Sequence, residues 1–432
     1  MRKTINIASF FALATSIVLG AYGCKDSGAS GSTAGTTGTT GSNSTAGGET
    51  AGSGGTTGSG RKDPAKDGSD IGEPIKIGLV ASQNGDLKPW GDDCVKGANM
   101  AVDEINAAGG INGKKVLLLT EDSNSDPVAG KNAASKLVTD GCVGILGEVA
   151  SGITQQMANV AFDAGLPIVA VGATRTDISD IGSNFFRVCY TDDFQGPVMA
   201  KFAYDYLSLR NVAIMTDNKQ PYSVGLSDSF RKAFEGYGGK IVDEQKYQSK
   251  ETQFSSYISN MKSKSPDGVF LSGYFTEVGP IVSQMRAAGL NMPVLGGDGW
   301  DSAQLQTSGG QAIVGGFFCN HYNNEEKRPE VQKFLADWKA KYSGVPGTTM
   351  GALGYDAAKL LCDAIKRAMD KGGKKSKDIS AALEDTSDFA GVSGKVTLKG
   401  MKGNPAKRAL VVKVTANGTT FEKAYEPEEL AK

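Results

Sequence analysis

Short apolar runs and longer amphipathic stretches alternate along this chain from Pro74 onward. Ile75-Lys76-Ile77-Gly78-Leu79-Val80 reads as a strand. The spacing of Val95, Ala98, Met100, Ala101, Val102 and Ile105 predicts a helix over 91–108, ended by Gly109-Gly110. The same two periods predict strands at 115–120, 143–147, 166–171, 212–216, 240–247, 268–272 and 293–296. Helices are predicted at 127–140, 152–164, 197–209, 224–237, 254–263 and 278–288. Past Gly315 the pattern is less regular, with helices over 330–342 and 355–371 and late strands at 396–398 and 409–414. Strand–helix alternation of this kind implies an α/β fold with helices on both faces of parallel sheets. Two such runs predict two similar lobes, and a chain that returns to both after Gly315 explains the irregular end.

The first residues follow neither period. Met1-Arg2-Lys3 is basic, 5–20 is apolar or small, and Ala21-Tyr22-Gly23-Cys24 follows. That order reads as a secretory signal, too short in its apolar part for a stable membrane span. A cysteine directly after Ala-x-Gly resembles a bacterial lipobox, which predicts lipidation of Cys24. Simple secretion with cleavage nearby is the plainer alternative. From 25 to about 60 the chain is almost only Gly, Ser, Thr and Ala, a composition with no apolar surface to offset chain entropy, so a disordered tether is expected.

Composition then narrows the function classes. Net charge is −1 and no basic stripe appears, which argues against a nucleic-acid partner. After Cys24 five cysteines remain (Cys94, Cys142, Cys189, Cys319 and Cys362), none in a C-x-x-C pair, beside one histidine, His321. No metal site is expected from that set. An odd number in an oxidising compartment leaves at least one thiol free or paired between chains. No nucleophile elbow, H-E-x-x-H or Walker loop is present. Asp122-x-Asn124-x-Asp126 starts like a calcium loop, but Pro127 and Ala133 stand where Gly and the bidentate Glu belong, so a turn is expected.

In open parallel sheets ligands bind beyond the carboxyl ends of the strands. Those positions hold Trp90 after the first strand, Ser151 at a helix start, Gly172 and Thr174 after 166–171, Tyr222 after 212–216, Tyr274 after 268–272, and Asp298 with Trp300 after 293–296. Together they suit a free α-amino acid. Ser151, Thr174 and a helix N-terminus match a carboxylate. Asp298 and the Gly172 carbonyl match an ammonium. Trp90, Tyr222 and Tyr274, with Trp300 as a further candidate, could wall an apolar side chain or stack on a cation. Each residue alone has a plainer reading: Ser151 as a helix cap, Thr174 and Asp298 as turn residues, the aromatics as core.

At these residues a resemblance enters. Lys76-Ile77-Gly78-Leu79, Trp90-Gly91-Asp92, Gly97-Ala98, Ile105 through Gly113, Asp126-Pro127, Ile145-Leu146-Gly147 and Arg286 through Leu290 resemble the leucine/isoleucine/valine-binding proteins, the branched-chain amino-acid receptors among the type I periplasmic binding proteins. The resemblance runs from about Pro74 to Phe421. It implies carboxylate binding by Ser151 and Thr174, ammonium binding by Gly172 and Asp298, and pocket aromatics Trp90, Tyr222 and Tyr274. Some members carry Glu where Asp298 stands. A first-lobe disulfide of well-known members has Ser125 and Ala150 at its matching places, so that crosslink is absent.

The resemblance further implies a two-lobe clamp joined by three hinge crossings, placed near Thr191, Cys319 and Asp388. The expected division is a signal peptide over 1–23, a lipidated cysteine and disordered linker over 24–70, a first lobe of 71–191 plus 320–388, and a second of 192–319 plus 389–432. It implies a non-enzymatic receptor without cofactor, expected to be a monomer, lipid-anchored at the periplasmic or cell-surface side and delivering an amino acid to an ABC permease and ATPase. Two alternatives stay open: a ligand of another class (amide, urea or aromatic acid), and a sensor of the same fold feeding a signalling partner.

Overall fold

A computed structural model describes residues 60–430. The signal segment and Cys24 lie outside the described residues. The first sheet is built from β1 (Ile75–Ala81), α1 (Lys88–Ala107), β2 (Val116–Asp122), α2 (Pro127–Thr139), β3 (Ile145–Leu146), α3 (Ser151–Ala164), β4 (Ile168–Ala170) and β5 (Phe185–Arg187). Its strand order is β2-β1-β3-β4-β5, all parallel. The chain then enters a second lobe with α4 (Asp192–Lys201), β6 (Asn211–Asp217), α5 (Pro221–Gly236), β7 (Lys240–Tyr247), α6 (Ser255–Lys264), β8 (Gly268–Leu271), α7 (Phe275–Ala287), β9 (Val294–Gly296), α8 (Ala303–Gly309) and β10 (Phe317–Asn320).

It returns to the first lobe as α9 (Pro329–Tyr342), α10 (Met350–Asp370), α11 (Ser376–Glu384) and a hairpin of β11 (Phe389–Gly391) and β12 (Gly394–Val396). It ends in the second lobe as β13 (Ala409–Thr415) and β14 (Gly418–Tyr425), which add antiparallel strands to give the order β14-β13-β10-β9-β8-β6-β7. The central strands β1, β6 and β8 are buried along almost their whole length, as strands covered on both faces must be. The expected α/β fold with two parallel sheets is therefore present.

Three differences from the sequence expectation have physical causes. The helix expected over 197–209 starts five residues earlier, so Pro197 lies inside α4 rather than at its first turn. The third crossing lies beyond the expected Asp388. The β11–β12 turn is bound to α10, because the buried Asp356 carboxylate accepts the Val392 and Ser393 N–H groups at 2.8 Å each, and the second sheet is joined only at Ala409. Lys407, just before that strand, donates to Val188 O of the first crossing at 2.6 Å and to Ser393 Oγ at 2.7 Å.

The linker expected over 24–70 is also shorter at its far end. Arg61 is buried, donating to Phe185 O at 2.7 Å and Gly182 O at 3.1 Å and pairing with Glu384. Ser183 N donates to Lys62 O at 2.8 Å, and Asp70 bridges to Lys375. This docking uses backbone and guanidinium bonds with no apolar period, which is why the pattern does not announce it.

Between lobe elements, close packing is set by glycine where α1 crosses α10. A Cβ on Gly97 would lie 1.9 Å from Gly351 O, and one on Gly354 would lie 2.5 Å from Cys94 O. The two helix backbones are in contact there. Alanine would bring about 1 kcal/mol of helix propensity, but it must push backbone against backbone, which costs more. Gly97→Ala is expected to lower stability by about 2 kcal/mol net, read as a lower urea midpoint at unchanged slope; a raised midpoint would contradict this packing account.

Candidate functional site

The carboxyl ends of both parallel sheets point into one cleft between the lobes, and the cleft is closed over its residues. Trp90, Ser151, Thr174, Tyr222, Tyr274 and Asp298 are each 5% exposed or less, and Gly172 is buried with them.

On the first-lobe side, Ser151 is the first residue of α3, and its hydroxyl accepts the Arg175 N–H at 3.3 Å. The first-turn N–H groups of α3 have no partner within the helix, so this end is an electropositive wall. Gly172 and Thr174 follow β4. A Cβ on Gly172 would meet Met350 Sδ at 2.9 Å and Val149 at 3.0 Å, so the backbone passes close under α10. Beneath this wall lies Glu148, fully buried, whose carboxylate accepts from the Ser82 and Ser123 hydroxyls and from the Val149 and Ala150 N–H groups. Burial pushes its carboxyl up from the ordinary value, and those four donors oppose the shift.

On the second-lobe side, Asp298 begins the short turn after β9. Its Oδ1 accepts from the Tyr222 hydroxyl at 2.8 Å and the Gln195 amide at 3.0 Å, and its Oδ2 lies 3.0 Å from His321 Nε2. The Tyr222 oxygen in turn accepts the Gly299 N–H at 3.0 Å. Tyr274 stacks on Tyr222 with ring centres 5.2 Å apart, and the Trp90 ring meets Tyr274 edge-on at 5.1 Å. One aromatic wall therefore runs from α5 of the second lobe to α1 of the first.

Several residues of this cleft carry no sequence signal of their own. Gln195, on α4, donates to Asp298 and to Asp192 at 2.7 Å, and reaches Thr174 Oγ1 at 3.4 Å. It thus ties the first-lobe threonine to the second-lobe aspartate. Asp192 is buried beside Asp298, and burial with that neighbouring carboxylate pushes its carboxyl up to about 7. His321 stacks on Tyr190 at 4.1 Å, joining the segment before α4 to the end of β10, and burial holds its imidazole below the usual value despite Asp298. His321 is the one histidine of the chain, and that alone could have drawn attention to it.

Trp300 falls outside the cleft. Its indole packs onto Gly296 and donates to Leu271 O at 3.0 Å, so it belongs to the second-lobe core rather than to the aromatic wall. The segment that begins like a calcium loop is a turn. Asp122 Oδ1 accepts three backbone N–H groups, from Gln83, Asn84 and Asn124, and Asp126 caps α2. Among the described residues no three His, Cys, Asp or Glu side chains form a metal cluster, and all five cysteines are buried and free. No described helix is long and apolar enough to cross a membrane.

A family profile described as periplasmic binding protein matches residues 74–419. The Leu/Ile/Val-binding protein BraC3 of Rhizobium johnstonii is 32% identical over 324 residues, covering 75% of this chain and 87% of the relative. Among solved structures, the leucine-binding protein LivK of Thermotoga maritima superposes with a TM-score of 0.78 at 31% identity, over 82% of this chain and 99% of that one. The branched-chain amino acid transporter substrate-binding protein LivJ of Streptococcus pneumoniae, solved with isoleucine, gives 0.75 at 30%, again over 82% and 99%.

The raised carboxyl of Asp192 makes a signed pH prediction. A carboxyl whose folded value lies above its unfolded one contributes stability that is present below about pH 4 and is lost as pH rises to about 7. Asp192→Asn cannot ionise and should escape that loss. Its stability relative to the unsubstituted chain is expected to rise by roughly 2–4 kcal/mol between pH 4 and pH 8. Parallel melting curves over that range test this, and a pH-independent difference contradicts it.

Proposed function

The chain belongs to the periplasmic binding protein family, whose members bind solutes rather than transform them and work outside the cytoplasm, and on that premise we propose that it is the receptor of an ABC importer for a free amino acid with an aliphatic, branched side chain. The observation that carries the reading is the polarity of the closed cleft. Hydroxyls and unpaired helix N–H groups stand on the first lobe, a buried carboxylate stands on the second, and an aromatic wall lies alongside.

In this reading the ligand carboxylate takes the Ser151 and Thr174 hydroxyls and the first-turn N–H groups of α3, where the helix dipole favours an anion. The ammonium takes the Gly172 carbonyl and Asp298. A carboxylate offers about four acceptor sites. Three protein donors already use Asp298, so one place remains for the ligand and the aspartate is held still for it. Trp90, Tyr222 and Tyr274 line the side chain. The names of the relatives support a branched-chain ligand. The same reading includes lipid anchoring at Cys24 at the periplasmic or cell-surface side, a monomeric receptor, and a permease and ATPase as membrane partners.

Asp298→Ala removes the ammonium's buried counter-charge and is expected to weaken amino-acid binding roughly a hundredfold to a thousandfold, measured by calorimetry on protein refolded to strip carried ligand. A thermal-shift panel of the twenty common amino acids should respond most to Leu, Ile or Val. A response to another amino acid alone would keep the clamp and change the ligand. Silence to all twenty would favour amides or aromatic acids and remove Asp298 from its role. Separately, Cys24→Ser is expected to move the protein from the membrane to the soluble fraction, and continued co-sedimentation with membranes would refute the anchor.

A further inference from the structure

Asp301 sits three residues after Asp298 on the second lobe, yet its strongest contacts are in the first. Its Oδ2 accepts the Thr349 N–H at 2.6 Å and the Thr349 hydroxyl at 2.8 Å, and its carbonyl oxygen accepts from Trp90 Nε1 at 2.7 Å. Thr349 is the residue before α10, and its own side chain caps nothing in that helix. The other lobe thus supplies the acceptor for the N–H just before this long first-lobe helix, while Thr348 Oγ1 accepts the Met350 N–H at 3.3 Å from within the first lobe. A carboxylate there also faces the positive end of the helix dipole. The Thr349 hydroxyl lies 3.0 Å from Asn320 Oδ1 as well, at the second hinge crossing. Asp301, Thr349 and Trp90 are each 8% exposed or less, so these bonds are made away from water. Burial pushes the Asp301 carboxyl up to about 6, which still leaves the anion at neutral pH for the two Thr349 donors to hold.

We propose that Asp301 is an interlobe latch that sets the balance between the open and closed clamp without touching the ligand. Separating the lobes breaks three buried hydrogen bonds together, two of them to a charged group. The Trp90 bond places part of the latch on the aromatic wall itself, so the closed lobes and the finished pocket are one event. Only the closed form grips a ligand from both sides, and the apparent affinity scales with the fraction that can close. Asp301 is thus a positioning residue whose loss weakens every ligand by a common factor. The inference rests on the hinged-clamp reading given above.

The test compares the full chain with Asp301→Ala and Thr349→Val. Small-angle scattering without added ligand should give a larger radius of gyration for Asp301→Ala. Calorimetry with leucine, isoleucine and valine should give dissociation constants about tenfold to a hundredfold weaker, by the same factor for each. Thr349→Val keeps the backbone donor and loses only the hydroxyl, so it should move both readouts the same way by less. It also keeps the test open if Asp301→Ala does not fold. An unchanged radius and affinity in either folded variant overturns the latch. Weaker binding at an unchanged radius also overturns it, because that would make Asp301 a local support for Asp298. If the unsubstituted chain bound no amino acid, the ligand reading would fail while scattering would still decide the latch.

Discussion

A buried carboxylate must find its donors inside the protein, and Asp298 takes them from three places far apart in sequence. Tyr222 comes from the first turn of α5, Gln195 from α4 just past the first hinge crossing, and His321 from the second crossing. An unpaired charge at that depth costs several kcal/mol, so these three side chains cannot drift independently. Their joint requirement fixes how α4, α5 and the two crossings sit around the end of β9. Gln195 extends the constraint to Thr174 and Asp192. The first-lobe loop after β4 is thereby registered against the second lobe by the Gln195 amide together with the Asp192 N–H, which donates to Thr174 O at 2.8 Å.

Around that centre the fold separates its polar duties by lobe. The first lobe offers donors: the start of α3, the Ser151 hydroxyl, and the loop after β4. Its own buried anion, Glu148, is turned away and saturated by two serines and two backbone N–H groups. The second lobe offers the acceptor. A zwitterion, with its opposite charges on one carbon, matches two facing walls of opposite character better than it matches either lobe alone. On the proposed reading, that match makes a ligand of this class favour lobes brought together, with no need for any shape change within a lobe.

The parts of this arrangement that could be read from sequence are those tied to a period or to a strand end. The alternation of apolar runs gives both sheets, and the residues after the strands include seven that lie buried at the facing sheet ends. What escaped has a common physical reason. Gln195, His321 and Asp301 are polar residues whose importance comes from partners 21 to 211 positions away, and Asp192 owes its own to the Asp298 carboxylate, equally remote in sequence. No window of the chain contains both ends of such a bond. Strands β5 and β10, three and four residues long, offer too few alternations to register a period. The docked segment beginning at Arg61 is held by main-chain carbonyls, which are present at every residue and so leave no mark in the sequence. Trp300 erred in the opposite sense, since a tryptophan at a strand end can turn back onto its own sheet when a glycine such as Gly296 leaves room for the ring.

Contacts made directly between the lobes bear on what the clamp can do. Every interlobe bond that forms without ligand adds to the closed population and raises apparent affinity, but only until the closed form dominates. Beyond that point further stabilisation no longer strengthens binding, and it slows entry, because a ligand must find the cleft open. A receptor that hands its cargo on must also reopen. The direct bonds seen here include Asp301 with Thr349 and Trp90, the Asp192 N–H with Thr174 O at 2.8 Å, Gln195 with Thr174 at a long 3.4 Å, and an exposed Lys250–Asp86 ion pair at 3.0 Å. The strongest of them joins the start of α10 rather than the floor of the cleft. In the proposed clamp the protein's own contacts bring closure within reach, and the two charged ends of an amino-acid ligand would decide it.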